Sequence, residues 1–504
     1  MELHPSVAQR LARLAPDQRA AATAPPGPVL CVAPAGSGKT TTLIARVAWL
    51  VASGAARPSE IAAITFNTRA AQEMRDRLDP ALAPLGIEPG AVRVRTFHAL
   101  GLEILRSIGS RLPDLVDRGP VLRRLCPDGE PAHLRRLDTL ISRLKLDLQV
   151  TAEEVSRDPE PGELARTYVA YERVLADLGA IDFDDLVGRA LRALRDSSAL
   201  LRTWRSRCRE LLVDEVQDVD RSQLDLALLL ATPDNRVFLV GDDDQSIYGW
   251  RLADVRRVLG LAGALPGLQR IDLETNYRCP GVVVERAVRL VEHNRERFAK
   301  RVVAGPNAAG RLVLAADAGD EVARLGRVVS AWPEGGTRAV LARTNRELLP
   351  AVALAIEREM PFRAPAIALL LEAPDLDELL RRAEVETPAD WPLLARLGML
   401  VRVLAAEAAG TDRAHAHRAQ DDEDQQPGDD ADDPMTATHS RAELAAALLA
   451  WAPPFPDLAT FAEAVRERRR RLAALRRDDA SLTLATAHAT KGLEFDHVVV
   501  TGME

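Results

Sequence analysis

Short strand-like runs with apolar centres recur along the chain at Pro28–Val32, Arg209–Val213, Val237–Val240 and His497–Thr501. Runs of this length, bounded by polar or turn-forming residues, predict strands buried on both faces, as in a parallel sheet. Elsewhere the period changes. Thr41–Val51 predicts an amphipathic helix directly after the first strand, and residues 98–205 carry Leu and Arg at helical spacing. Leu369–Leu371 with Leu379–Leu380, and Leu444–Trp451, predict isolated helices within a segment, 366–480, that has little else to fold.

Composition narrows the class. A chain of 504 residues, 47% hydrophobic and 28% charged, is too long for one core and reads as globular. About three or four packed units are expected. The sequence has no signal peptide and no apolar run of membrane-spanning length, which predicts a cytoplasmic protein without a membrane partner. Cys31, Cys126, Cys208 and Cys279 are far apart and form no C-x-x-C pair, so zinc, iron–sulfur and disulfide readings lack support. His415 and His417 have no further ligands clustered near them.

The net charge of −8 argues against a nucleic-acid partner only superficially. Eight of the negative charges sit at Asp421–Asp424 and Asp429–Asp433, in a Gln-, Gly- and Pro-containing stretch that predicts a disordered linker over about 411–436. Lysine is nearly absent: only Lys39, Lys145, Lys300 and Lys491 occur, and Lys39 and Lys491 fall inside the motifs below. Chance accounts for that placement as well as chemistry does. The basic run Arg466–Arg471 has the look of a nucleic-acid-binding helix, but a solvated helix face is the simpler reading in so arginine-rich a chain.

The first strand opens into Ala33, Pro34, Ala35, Gly36, Ser37, Gly38, Lys39 and Thr40, and then the helix. Strand, glycine-rich loop and helix form a P-loop: backbone N–H groups and the helix N-terminus favour a phosphate, Lys39 reaches the outer phosphates, and the Thr40 hydroxyl suits Mg²⁺. The strict pattern has Gly where Ala33 stands. The run Arg209–Val213 ends in Asp214 and Glu215, carboxylates at a strand tip, where a second Mg²⁺ ligand and a water-activating base are needed. Taken alone, the pair would read as a solvated strand end.

The run Val237–Val240 leads into Gly241–Arg251, a loop that holds Gln245, Tyr248, Trp250 and Arg251. A Gln able to hydrogen-bond a phosphate lies close to aromatic faces able to stack on bases. One loop would therefore feel both nucleotide and nucleic acid.

In motif order and spacing the chain resembles the UvrD/Rep/PcrA family of superfamily 1 DNA helicases. Leu14–Gln18 looks like the Q motif, with Gln18 on the adenine edge; Ile64–Asn67 looks like motif Ia and Thr96–His98 like motif Ib, which implies DNA contacts for Phe66, Asn67, Thr96 and His98. Asp214 and Glu215 match motif II, although Val216 replaces the usual Phe. Gly241–Arg251 matches motif III, and Leu273–Arg278 looks like motif IV, with Tyr277 against adenine and Arg278 as an arginine finger. Ala342–Asn345 is a weaker match to motif IVa, carrying Arg343, and Thr486–His488 with Lys491–Phe495 matches motif V, with Thr486 and His488 toward DNA and Glu494 toward the ribose. The resemblance implies catalysis by Lys39, Glu215, Gln245 and Arg278, with ATP and Mg²⁺ as cofactors.

The resemblance also implies an α/β fold of two RecA-like P-loop NTPase domains with parallel sheets, each interrupted by a mostly helical insertion. The first motor domain is expected at 1–97 and 206–274, its insertion at 98–205, the second motor domain at 275–365 and 481–504, and a reduced second insertion at 366–480. Family members continue to a motif VI that carries another arginine, which predicts that the second motor domain is incomplete and the sequence truncated. The expected function is an ATP-dependent helicase or translocase on single-stranded DNA and single-strand/duplex junctions, 3′ to 5′, in DNA repair or replication alongside repair or recombination proteins. The alternatives are an ATP-gated single-strand binder without productive unwinding and a subunit of a helicase–nuclease complex.

Overall fold

A computed structural model describes residues 3–109, 113–127, 131–157, 162–249, 252–306, 309–315, 320–333, 335–367, 369–415 and 441–502. The chain divides into two units, Met1–Val313 and Leu314–Glu504.

The first unit contains β1 (Val29–Val32), β2 (Ile61–Thr65), β3 (Arg93–Thr96), β4 (Asp114–Leu115), β5 (Ala180–Ile181), β6 (Glu210–Val213), β7 (Val237–Gly241), β8 (Gln269–Asp272), β9 (Thr275–Asn276) and β10 (Val303–Ala304). Six of them form one parallel sheet in the order β3-β2-β6-β7-β1-β8. β1, β6 and β7 are buried along their whole length: β1 is an unbroken apolar run, β7 one that ends in Gly241, and β6 carries a buried Glu210 paired with Arg236 ahead of its apolar residues. One face is covered by the helices Lys39–Ala52 and Thr68–Leu82 through Leu43, Val47, Met74 and Leu78. The other face packs on Phe97, Leu100, Val187, Leu191, Trp204 and Leu226. Helices Phe97–Arg106, Asp185–Asp196 and Ser198–Arg207 therefore belong to the sheet's own layer, although they fall within the span expected as an insertion. The insertion's separate core is smaller, built from Val121, Leu122, Leu137, Ile141, Tyr168, Tyr171 and Leu175.

A buried ion cluster organises this insertion. Asp182, 1% exposed, accepts from Lys145 Nζ at 2.9 Å, Arg118 at 2.8 Å and the Tyr171 hydroxyl at 2.8 Å. Burial alone would raise the Asp182 pKa, but Arg118 and Lys145 outweigh it and hold the carboxyl far below the usual range.

The second unit carries β11 (Arg338–Ala342), β12 (Phe362–Arg363), β13 (Leu482–Thr486) and β14 (His497–Val500) in a parallel sheet ordered β12-β13-β11-β14. β14 was expected as a fully buried strand, but it lies at a sheet edge with Val498 48% and Val500 53% exposed. Its unbroken apolar run could not reveal that only one face is covered.

The isolated helices expected in 366–480 are a second correction. Helices Leu376–Val385, Leu393–His415, Arg441–Trp451 and Leu458–Leu475 meet in one core through Leu379, Leu397, Leu400, Leu444, Leu448 and Phe461. Apolar stripes far apart in sequence close on each other, which no local pattern announces. Arg466, Arg469, Arg470 and Arg471 ion-pair with Glu463, Asp377, Glu463 and Glu359, and Arg468 lies over Trp451, so this run is engaged within the unit. Residues 416–440, most of the expected linker and His417 included, lie outside the described residues. No described helix is long and apolar enough to cross a membrane.

Candidate functional site

Parallel strands point their carboxyl ends the same way, and ligands bind at that edge. In the first unit this edge collects the P-loop after β1, Asp214 and Glu215 after β6, Asp242–Gln245 after β7, Phe66 and Asn67 after β2, and Thr96 at the end of β3. Strand order alone sets the residues expected at the phosphates beside one another and leaves Phe66, Asn67 and Thr96, expected at DNA, toward the β3 side.

In the P-loop, Gly36 and Gly38 have φ of +67° and +83°, the left-handed region that glycine reaches without strain. A Cβ at Gly38 would stand 2.6 Å from Gln18 Nε2, and one at Gly36 2.7 Å from the Cβ of Arg278. Ala33 in place of the expected Gly is explained by its setting: it is buried, and its N–H continues the sheet ladder to the Gly241 carbonyl at 2.8 Å. Gln18 donates through Nε2 to the Ser37 carbonyl at 2.8 Å and accepts from Ala15 N at 3.1 Å, so its amide braces the loop. Ser37 Oγ is buried without a hydrogen-bond partner, a hydroxyl left for an oxyanion or metal-bound oxygen.

Lys39 Nζ lies 2.9 and 2.8 Å from the two Glu215 oxygens. Burial would depress the Lys39 ammonium, but Glu215 and Asp214 outweigh it and hold it above the ordinary lysine value. Burial, then the adjacent Glu215 charge, pushes the Asp214 carboxyl up to about 7. Glu215 itself has φ +53° and ψ +44°, a conformation that costs a non-glycine residue about 1–3 kcal/mol. With the Thr40 hydroxyl at the start of the helix, Asp214 forms an oxygen donor set suited to a hard divalent cation such as Mg²⁺.

Motif III is tied to this carboxylate by a residue that sequence reasoning missed. Gln217 Nε2 donates to Glu215 at 2.6 Å, and its Oε1 accepts from Asp242 N at 3.0 Å. A Cβ at Gly241 would fall 2.2 Å from that Oε1, so glycine is required for the approach. Asp242 in turn accepts from Gln245 Nε2 at 2.6 Å. Beyond it, Tyr248 stacks on Phe66 with ring centroids 5.2 Å apart and planes at 14°. Trp250 and Arg251 lie outside the described residues.

The remaining DNA-directed residues divide between exposed and internal roles. His98 stacks on Phe183 at 3.9 Å, and Phe183 is 54% exposed. Thr96 and Asn67 cap helices, accepting from Ala99 N at 3.2 Å and Ala70 N at 2.8 Å. In the second unit, parallel β11 and β13 bring Arg343 and Thr486 to adjacent strand ends, and Thr486 Oγ1 accepts from Ala489 N at 3.3 Å. His488 and Glu494 follow on the loop after β13.

Motif IV lies with the first unit, since the contact division falls after Val313 and not at Thr275. Tyr277 N donates to the Gly36 carbonyl at 2.8 Å, while its ring is 51% exposed. Asn276 Oδ1 accepts from the backbone N–H groups of Arg278 and Cys279 at 2.9 and 2.8 Å, which shapes the turn that carries Arg278 beside the P-loop. Asp17, next to Gln18, accepts from Glu274 N at 2.9 Å.

Known proteins share this chain's sequence over most of its length. Residues 14–265 match the family described as UvrD/REP helicase N-terminal domain. The chain is 30% identical over 398 residues to "ATP-dependent DNA helicase Rep" of Salmonella typhimurium, covering 75% of this chain and 59% of that protein. It is 32% identical over 367 residues to "DNA helicase II" of Escherichia coli, 69% of this chain and 50% of that protein. It is 32% identical over 288 residues to "ATP-dependent DNA helicase PcrA" of Staphylococcus aureus, 54% of this chain and 39% of that protein. In its matches to Rep and helicase II the chain spans 59% and 50% of those proteins' lengths.

Proposed function

The chain belongs to the UvrD/REP helicase family, and on that premise we propose that it is an ATP-dependent DNA helicase or translocase that moves 3′ to 5′ along single strands. The observation that carries this reading is a hydrogen-bonded path from the P-loop into the loop that carries an aromatic pair. It runs from Lys39 to Glu215, Gln217, Asp242 and Gln245, in the loop whose Tyr248 stacks on Phe66.

Lys39 and Glu215 hold each other when no nucleotide competes for the ammonium. A triphosphate draws Lys39 away and leaves the Glu215 carboxylate able to accept a proton from the attacking water. Thr40 and Asp214 are the residues that would hold Mg²⁺, which when bound would supply charge neutralisation on the phosphates. Gln245 senses the γ-phosphate, and its hydrogen bond to Asp242 joins that event to the DNA-facing loop. Arg278, beside Gly36, adds a cation at the transferring phosphate, a contribution worth roughly 10³–10⁵ in rate where an arginine finger acts. The half-buried Phe66–Tyr248 stack and the His98–Phe183 pair, with Phe183 exposed, suit base stacking, which tolerates any sequence. Single strands and single-strand/duplex junctions are then the substrates, and repair or recombination proteins the expected partners.

The test is ATP turnover with and without saturating single-stranded DNA, followed by displacement of a strand from duplexes tailed at the 3′ or the 5′ end. Stimulated turnover with preference for the 3′ tail is expected. Turnover that stays at background with saturating DNA sinks the motor reading, and stimulated turnover without displacement reduces it to translocation.

A further inference from the structure

Motif III holds three consecutive aspartates, Asp242, Asp243 and Asp244, a density of buried negative charge that no loop carries without compensation. The compensation comes from a segment about fifty residues later that belongs to none of the helicase motifs. Lys300 Nζ lies 2.5 Å from Asp242, 2.5 Å from Asp243 and 2.9 Å from Asp244, with its side chain 1% exposed. Arg297 adds a bidentate pair to Asp244 at 2.9 and 2.8 Å, and Asp243 also accepts from Phe298 N at 2.8 Å. Burial disfavours the Lys300 ammonium, yet the three carboxylates outweigh it and keep it charged above its ordinary value.

The geometry at Asp242 gives this clamp a direction. One carboxylate oxygen, Oδ1, meets Lys300, the other, Oδ2, accepts from Gln245 Nε2 at 2.6 Å, and the backbone N–H of the same residue donates to Gln217, which holds Glu215. Rotation of the Asp242 carboxylate would therefore move the amide of Gln245. We propose that Lys300 is a positioning residue for nucleotide hydrolysis, fixing Asp242 so that Gln245 and, through Gln217, Glu215 are held ready for the γ-phosphate and the attacking water. This role rests on the ATPase reading above. Arg297 hydrogen-bonds Asp244 and its charge also reaches Asp243, so it does not substitute for Lys300 at Asp242.

The test uses the full chain. Lys300→Met should lower DNA-stimulated kcat by roughly 10- to 100-fold, the scale at which misplacement of a catalytic group is felt, while the dissociation constant of a fluorescent ATP analogue changes by less than about threefold. In a Gln245→Ala background the same substitution should cost less than it does in the wild type, because one of the two residues it positions is gone. Lys300→Met leaves buried carboxylates uncompensated and can cost the fold, so Lys300→Met with Asp243→Asn is the second variant: it keeps the cluster's net charge, and the new side-chain amide oxygen can still accept from Phe298 N. The loss of kcat should persist there, since Asp242 Oδ1 still lacks Lys300 and keeps only the longer bond from Asp244 N at 3.2 Å. Wild-type turnover in that double variant, or fully additive losses with Gln245→Ala, would reduce Lys300 to charge balance and overturn the role. A wild-type chain without DNA-stimulated turnover overturns the ATPase reading and the role together; an active wild type with an unimpaired, folded Lys300→Met overturns the role alone.

Discussion

Glu215→Gln should abolish hydrolysis and at the same time tighten ATP binding. Lys39 Nζ is within 2.9 Å of both Glu215 oxygens, with the two side chains 14% and 22% exposed, so binding a triphosphate means exchanging one anion for another. A charge-assisted hydrogen bond is worth about 1.5–3 kcal/mol, and partial solvent access at this pair brings the expected gain to about 1–2 kcal/mol. That corresponds to a dissociation constant lower by roughly 5- to 30-fold. Removal of the Glu215 charge also relieves Asp214, whose carboxyl it helps push up to about 7, and so favours the ionised form that a divalent cation requires. Gln217 Nε2 can still donate to the new amide oxygen, so the path to Asp242 survives. Turnover should fall by about 10²–10⁴, the usual contribution of a general base.

The assay is a fluorescence titration with an ATP analogue in Mg²⁺ and without DNA, repeated for Lys39→Ala and for the double variant. Most of the tightening should be lost when Lys39 is absent, because only the contribution through Asp214 is left. Unchanged or weaker binding by a folded Glu215→Gln would refute the reasoning: Lys39 would then not be held back by Glu215, and the ion pair would be no barrier to nucleotide entry.

Asp182→Asn should destabilise the first unit by about 3–5 kcal/mol, since it strips Arg118 and Lys145 of a buried partner, and calorimetry should show the loss. The Asp182 carboxyl titrates lower folded than unfolded, so its stabilisation is present above the unfolded value near pH 4 and disappears as pH falls further; the variant's melting temperature should depend less on acid than the wild type's. Tyr248→Ala should weaken single-strand binding by about 1–3 kcal/mol in an anisotropy titration, and unchanged affinity would assign the Phe66–Tyr248 stack to packing alone. Leu397→Ala, at 1% exposure in the four-helix core of the second unit, should cost that unit about 2–5 kcal/mol while leaving nucleotide affinity at Lys39 intact.

Local chemistry was legible wherever one short segment carries it. The P-loop needs closely spaced glycines, a lysine and a hydroxyl, so Gly36, Gly38, Lys39 and Thr40 can be read directly, and the Asp214–Glu215 pair follows from a carboxylate at a strand tip. The strands that hold them declare themselves because burial on both faces leaves an unbroken apolar run. Where burial is one-sided or assembled from distant stripes the pattern is silent, as at β14 and in the helical core around Leu397 and Phe461.

What the sequence determined by itself is the inventory: a parallel α/β architecture, a phosphate loop, a carboxylate pair and a loop bearing Gln245 and Tyr248. Only the tertiary structure decided which of these are joined, because a hydrogen bond between distant residues has no local signature. Gln217 becomes a bridge only when β6 and β7 lie side by side, with Gly241 leaving room for its amide. Lys300, one of four lysines in the chain, has no distinguishing neighbourhood along the sequence and acquires its meaning from three aspartates that the fold buries around it.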